Sequence, residues 1–144
     1  MNITDFLKTG RYLDLAVGLS EHNLYSILPK KSLGKKHYYN SDNHNKGFSY
    51  FYQALEVMII DSKIYSLGFD ITSCPVTLLN DQVINAKSSF EFILKCLDIV
   101  DIEWNFEQQY CNNRELTIKT AGNVLCGCVH DKGDYWLTQF KVFK

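Results

Sequence analysis

The sequence predicts an α+β fold: a mainly antiparallel sheet of about five to six strands, made of a hairpin and a C-terminal meander and packed with an N-terminal helix and a central helix. Three observations carry this. Residues 48–71 are dense in aromatic and β-branched residues around the polar break Asp61-Ser62. Residues 115–143 alternate in strand fashion around two turn signals, Ala121-Gly122-Asn123 and Asp131-Lys132-Gly133-Asp134. Helical stripes occur only near the N-terminus and over 88–98, so strands cluster instead of alternating with helices. A chain of 144 residues fits one domain, 1–144. At this size it buries about 68–70% of its unfolded surface, so its core needs no metal or disulfide.

In order along the chain, residues 3–19 are predicted helical. Ile3, Phe6, Leu7, Leu13, Leu15, Ala16 and Leu19 recur at roughly helical spacing, Thr4 can cap, and Gly10 and Gly18 are weak points. Residues 20–47 are polar and end in a cluster of Asn, Asp, Ser and Gly, which predicts a long loop. Loops of that length are usually functional or mobile. SYFYQALEVMII then predicts one strand and KIYSLGFDI a second, joined as a hairpin. In the first, Leu55, Val57 and Ile59 share one face and Glu56, Met58 and Ile60 the other; both are mostly apolar, so it is expected to be central and covered on both sides. In the second, Tyr65, Leu67, Phe69 and Ile71 line one face, and Ser66, Gly68 and Asp70 the more solvated one.

Residues 72–86, with Pro75, read as a connection. Ser88 or Ser89 caps the clearest helix, with Glu91 in its first turn and Phe90, Ile93, Leu94 and Leu97 as its stripe. It is expected to end near Asp98, where IVDIEWNF turns strand-like. ELTIKT, VLCGCVH and YWLTQFKVF complete the sheet. Gly122 and Asn123 suit the first turn through their tolerance of positive φ.

Fifteen Lys+Arg against sixteen Asp+Glu leave a formal charge of −1, unlike the global basic charge of a dedicated nucleic-acid binder. That total conceals a gradient. Residues 1–50 hold seven basic and four acidic residues, 51–100 three and six, and 101–144 five and six. A basic front precedes an acidic middle. With 46% hydrophobic residues the chain lies outside the disordered class. No apolar run reaches the ~18–20 residues of a membrane span. The N-terminus carries Asp5 and Asp14 and lacks an apolar signal core, so a cytoplasmic chain with no membrane partner is expected. The cysteines, Cys74, Cys96, Cys111, Cys126 and Cys128, are odd in number and form no C-x-x-C. Free thiols packed as small hydrophobes are expected.

Cys126, Cys128 and His130 share one strand face. A thiol near an imidazole suggests a nucleophile or half a zinc site. However, i and i+2 residues on a strand stand ~6–7 Å apart, and structural zinc takes C-x₂₋₄-C and four ligands. Core cysteines are the plainer reading. His22, His37 and His44 lie in polar segments and are expected to be solvated. Lys30, Lys31, Lys35, Lys36 and His37 precede Tyr38 and Tyr39, a basic and aromatic combination suited to phosphates and single-stranded bases, although four loop lysines more often just serve solubility. Asp98, Asp101, Glu103, Glu107 and Glu115 form an acid-rich stretch, read as a solvated face or a surface for a basic partner; acid–base catalysis needs two carboxylates in contrasting environments. No phosphate-binding glycine loop, zinc-protease motif or nucleophile elbow occurs. No catalytic, cofactor or metal site and no small-molecule substrate is predicted.

The block YFYQALEVMIIDSKIYSLGFDI carries a Y-x-x-LE-hydrophobic strand that turns into one ending hydrophobic-G-hydrophobic-D. The matching residues are Tyr52, Leu55, Glu56, Val57, Ile64, Leu67, Gly68, Phe69 and Asp70. Leu33-Gly34 precedes it; the helix SSFEFILKCL, the strand Ile102-Glu103-Trp104, and Ile118, Thr120, Gly122 and Val124 follow. Over about residues 33–140 this resembles the small immunity proteins encoded beside polymorphic bacterial toxins, including those of contact-dependent growth inhibition systems. The resemblance implies a non-catalytic cytoplasmic protein that binds and neutralises the C-terminal domain of a cognate toxin, often a nuclease. Nuclease toxins tend to be basic, and their inhibitors often present acid. The resemblance thus implies Asp98, Asp101, Glu103 and Glu107 as partner-facing, with Tyr110 as an aromatic anchor. Two other classes stay open: a small enzyme using the cysteine–histidine strand or the acids, and a nucleic-acid-binding module using the lysine–tyrosine segment.

Overall fold

In the computed structural model, which describes residues 1–79 and 81–144, Thr4–Thr9 forms helix α1. Gly10, at φ 69°, ends it after six residues by donating its amide to the Phe6 carbonyl. The helix expected over 3–19 therefore stops at the first glycine. Thr4 does not cap it: the Thr4 hydroxyl accepts the Leu79 amide at 2.8 Å. Residues 20–47 are not one loop. They hold α2 (Glu21–Ile27), α3 (Lys30–Leu33) and strand β1 (His37–Tyr38). Ser20 opens α2 with a reciprocal capping box, its hydroxyl accepting the Asn23 amide while the Asn23 side chain accepts the Ser20 amide, both at 3.2 Å. Leu24, Leu28 and Leu33 anchor these helices in the core, spaced too sparsely to show a period.

A 3-10 turn (His44–Lys46) leads into β2 (Phe48–Tyr52), β3 (Leu55–Ile60) and β4 (Lys63–Asp70). SYFYQALEVMII is two strands rather than one, because Gln53, at φ 55°, starts a tight reversal. The Asp61-Ser62 hairpin is as expected, with both residues at positive φ, as a type I′ turn requires. The stretch read as a connection folds into a second, small hairpin, β5 (Val76–Leu78) and β6 (Gln82–Ile84). Asn80, within that stretch, lies outside the described residues. Then come α4 (Phe90–Ile99), capped by Ser89 through the Phe92 amide, and β7 (Trp104–Phe106). After a 3-10 turn (Gln108–Tyr110), β8 (Glu115–Thr120), β9 (Leu125–Asp131) and β10 (Asp134–Phe143) form the meander.

Eight strands join in one antiparallel sheet, ordered β1-β2-β3-β4-β10-β9-β8-β7. It exceeds the expected five to six because β1 is too short, and β2 too fused with β3, to show in the pattern. The central contact is β4 with β10, which sets Phe69 opposite Phe140. One core cluster unites α1 (Phe6, Leu7), α4 (Ile93, Leu97) and the inward strand faces (Leu55, Phe140). The second sheet face is covered only in part, with Ser49, Ser66 and Thr117 buried on it. On β3, Leu55, Val57 and Ile59 are buried, while Glu56, Met58 and Ile60 are half-exposed, which corrects the two-sided cover expected for that strand. In β4 the register shifts opposite Met58 and Ile59, leaving Tyr65 as an unpaired extra residue. This bulge turns Ile64 inward alongside Leu67 and leaves Tyr65 exposed, against simple alternation.

Glu21 ties α2 to the sheet. Its carboxylate takes Lys36 at 2.8 Å, the Tyr50 hydroxyl at 3.1 Å and the Tyr25 hydroxyl. Burial pushes the carboxyl up, and the bonds from Lys36, Tyr25 and Tyr50 outweigh it, so Glu21 sits below its usual range. A depressed carboxyl stabilises the fold above the unfolded carboxylate range and loses that contribution as pH falls through its lower folded value. Glu21→Gln is therefore expected to cost about 1–2 kcal/mol at pH 7, with the difference from wild type shrinking in acid. Urea unfolding at pH 7 and pH 3 checks this; an equal difference at both pH values would contradict it.

Candidate functional site

The helix stripe of α4 keeps Ile93 and Leu97 in the core and brings Asp98 to the surface in its last turn. The helix then closes in a Schellman arrangement. The Asp101 amide donates to the Asp98 carbonyl at 3.2 Å, and the Ile102 amide to the Leu97 carbonyl at 3.0 Å. Asp101 holds the left-handed position, φ 55°, that glycine usually fills. Ile102 is buried beneath it, and Glu103 emerges at the start of β7. Asp98, Asp101 and Glu103 thus meet around an open depression of about 420 Å³, bordered also by Trp104 and Asn105.

Two of these acids stand where helix electrostatics oppose them. A helix C-terminus carries partial negative charge, and a carboxylate there costs about 0.3–1 kcal/mol. The last turn of α4 holds no basic residue. Among the described residues none of the three acids enters an ion pair, so their charges are not compensated in that way.

Apolar surface adjoins them. Ile99 is 76% exposed at the end of α4, and Phe106 is 51% exposed on β7. Phe106 lies in an aromatic group with Trp104 (centroids 5.7 Å apart) and Phe90 (6.0 Å). Sequence reasoning missed Ile99 and Phe106. Ile99 carried a readable signal, because it falls opposite the α4 stripe, where an apolar residue must face solvent.

The other two residues implied as partner-facing lie elsewhere. Glu107 is half-buried and pairs with Lys119 at 2.7 Å, so its charge is compensated within the fold. Tyr110 packs edge-on to Phe143 (6.5 Å) over the partly covered sheet face, beside a groove of about 260 Å³ floored by Gly127 and Thr117. The structure therefore brings together Asp98, Asp101 and Glu103 and leaves Glu107 and Tyr110 outside that group.

On β9, Cys126 and Cys128 are buried in the core, as alternation requires, and His130 lies edge-on to Tyr135. Burial pushes the Cys128 thiol up to about 12, and burial together with Cys128 raises Cys126 well above its usual value. Neither thiol ionises near neutrality, so neither is an activated nucleophile. Among the described residues no group of three His, Cys, Asp or Glu side chains is placed to hold a metal ion.

In the lysine–tyrosine segment, Lys30, Lys31, Lys35, Tyr38 and Tyr39 are exposed, and Lys36 and the two tyrosines also make contacts within the fold. Lys36 pairs with Glu21 and lies 4.1 Å from the Phe48 centroid. Tyr38 stacks on His44 at 3.9 Å. The Tyr39 hydroxyl bonds Ser49, which donates to Glu56 at 2.5 Å. These rings brace the edge of the sheet.

No helix is long and apolar enough to cross a membrane among the described residues. No family model, curated protein or solved structure matches the chain.

Proposed function

We propose that this chain is a non-catalytic immunity protein, which neutralises a basic cognate toxin domain in the cytoplasm by one-to-one docking through the acidic end formed by α4 and β7. The observation that carries the reading is the placement of Asp98 and Asp101, unpaired and exposed, at the negative end of a helix. Surface acids kept at a cost to folding are accounted for by a cationic partner. Ile99 beside Asp98, and Phe106 beside Trp104 on β7, add exposed apolar area next to the acids. The enzyme alternative draws less support, since its thiols are buried and protonated. The nucleic-acid alternative has exposed lysines and tyrosines in its favour, but Lys36 is paired with Glu21 and the chain's total charge is −1.

Co-expression with the C-terminal domain encoded by the neighbouring reading frame tests the reading. A one-to-one complex on a sizing column and rescue of growth are expected; neither appearing would refute it. The triple variant D98N/D101N/E103Q is expected to associate about tenfold more slowly at low salt, with the deficit shrinking as salt rises. The same variant is expected to melt slightly higher than wild type, because two charges leave the helix C-terminus. Unchanged association would place the interface on another surface.

A further inference from the structure

The two edges of the sheet are finished differently. At one edge, β1 is two residues long. The Tyr39 amide bonds the Gly47 carbonyl, so ladder bonds alternate through His37 and Tyr39 and leave only Tyr38 with outward backbone groups. Lys35 and Lys36 precede it, and the Tyr38 ring is stacked on His44. A short edge with lysines is how natural sheets block further pairing.

The other edge, β7, is also short, at three residues, but leaves two of them with outward backbone groups. Glu103 accepts the Ala121 amide at 2.9 Å and Glu107 donates to Thr117 at 2.9 Å, so the bonds to β8 fall to Glu103, Asn105 and Glu107. The N–H and C=O groups of Trp104 and Phe106 therefore face away from the sheet. β7 is the last strand of the order, and it carries no lysine, proline or bulge. Trp104 and Phe106 lie on the α4 side of this edge with Phe90, whereas Glu103 and Asn105 lie on the partly covered side, where Asn105 sits opposite Lys119. Asp98 and Asp101 stand at its N-terminal end.

We propose that the partner docks here as a ninth strand: an extended segment with alternating basic and apolar residues pairs with the outward backbone groups of Trp104 and Phe106. Its apolar side chains lie beside Trp104 and Phe106, and its basic ones meet Glu103, Asp101 and Asp98. Main-chain bonds supply affinity in strand addition, and the alternating side chains supply choice of partner. This inference rests on the docking reading above, and names the form of the partner at that surface.

The test uses the full isotope-labelled chain and the capped peptide acetyl-KVKVKVK-amide as probe, with amide exchange read by NMR. On binding, the Trp104 and Phe106 amides are expected to gain protection together. Phe106→Pro removes one outward N–H and spares the β8 ladder, because proline is tolerated on the solvent side of an edge strand. It is expected to raise the peptide Kd about tenfold, and Phe106→Ala, which keeps the N–H, by clearly less. Binding that leaves both amides unprotected overturns strand addition, and so does no binding at millimolar peptide. If the toxin domain still binds wild type and binds D98N/D101N/E103Q poorly, the docking reading stands without strand addition. If the toxin domain binds both alike, the docking reading falls whatever the peptide does.

Discussion

Phe69→Ala is expected to lower the unfolding free energy by about 3–5 kcal/mol, among the largest losses a single truncation produces. Phe69 is fully buried on β4, at the junction of the two halves of the sheet. It pairs across the ladder with Leu55 on one side and Phe140 on the other. Its ring meets Phe6 and Tyr12 edge-to-face, each at 5.1 Å, so it also holds α1 and the turn after it against the sheet. Truncation removes buried apolar area and two aromatic contacts and leaves a cavity whose backbone walls are fixed by the ladder. Phe69→Leu is expected to lose only part of this. Urea unfolding measures both; a loss under about 1 kcal/mol for the alanine variant would contradict the packing described.

Gly122→Ala is expected to cost about 2–4 kcal/mol, through overpacking instead of a cavity. A Cβ at position 122 would lie 2.5 Å from the Gly10 nitrogen, 2.7 Å from the Thr9 nitrogen and 2.8 Å from the Leu7 oxygen. These are backbone atoms, so no rotamer change relieves the clash. The C-terminal end of α1 must lift from the β8–β9 turn. That lift breaks the bonds that the Gly122 amide (3.1 Å) and the Thr120 hydroxyl (2.6 Å) make to the Leu7 carbonyl. Faster amide exchange in α1, with β9 and β10 still protected, is the expected signature. The reason for glycine here corrects the one read from sequence. Asn123, at φ 60°, supplies the left-handed residue of the turn, and Gly122 is there for close approach of the chain.

The features legible in advance combine a periodicity with a local stop signal. The Asp61-Ser62 hairpin has two strong strands around a reversal, and α4 has a serine cap and a full stripe. The meander has two turns with positive-φ residues. What escaped is short or depends on distant partners. α2, α3 and the junction between them bury only three leucines, and β5 and β6 have three residues each, too few for alternation to show. The β4 bulge arises from pairing with β3, which one strand's pattern cannot announce. In the candidate site, Asp98, Asp101 and Glu103 were visible as an acid-rich stretch. That Glu107 spends its charge on Lys119, and that Tyr110 faces a different part of the sheet, are outcomes of tertiary placement.

The strand order has an electrical consequence. The lysines of residues 30–46 accompany β1, and Asp98, Asp101 and Glu103 accompany β7, at opposite ends of one continuous ladder. Eight strands at about 4.8 Å spacing separate these ends by roughly 34 Å. The near-neutral chain therefore carries a lysine cluster at one end of its strand order and an acidic cluster at the other. In dilute buffer a cationic body approaching from a distance exerts a torque that turns the β7 end toward it before contact. At physiological ionic strength the screening length is about 8 Å, a fraction of that span. There the two poles act as separate local fields, and a charge change at the lysine pole leaves the acidic pole's attraction untouched.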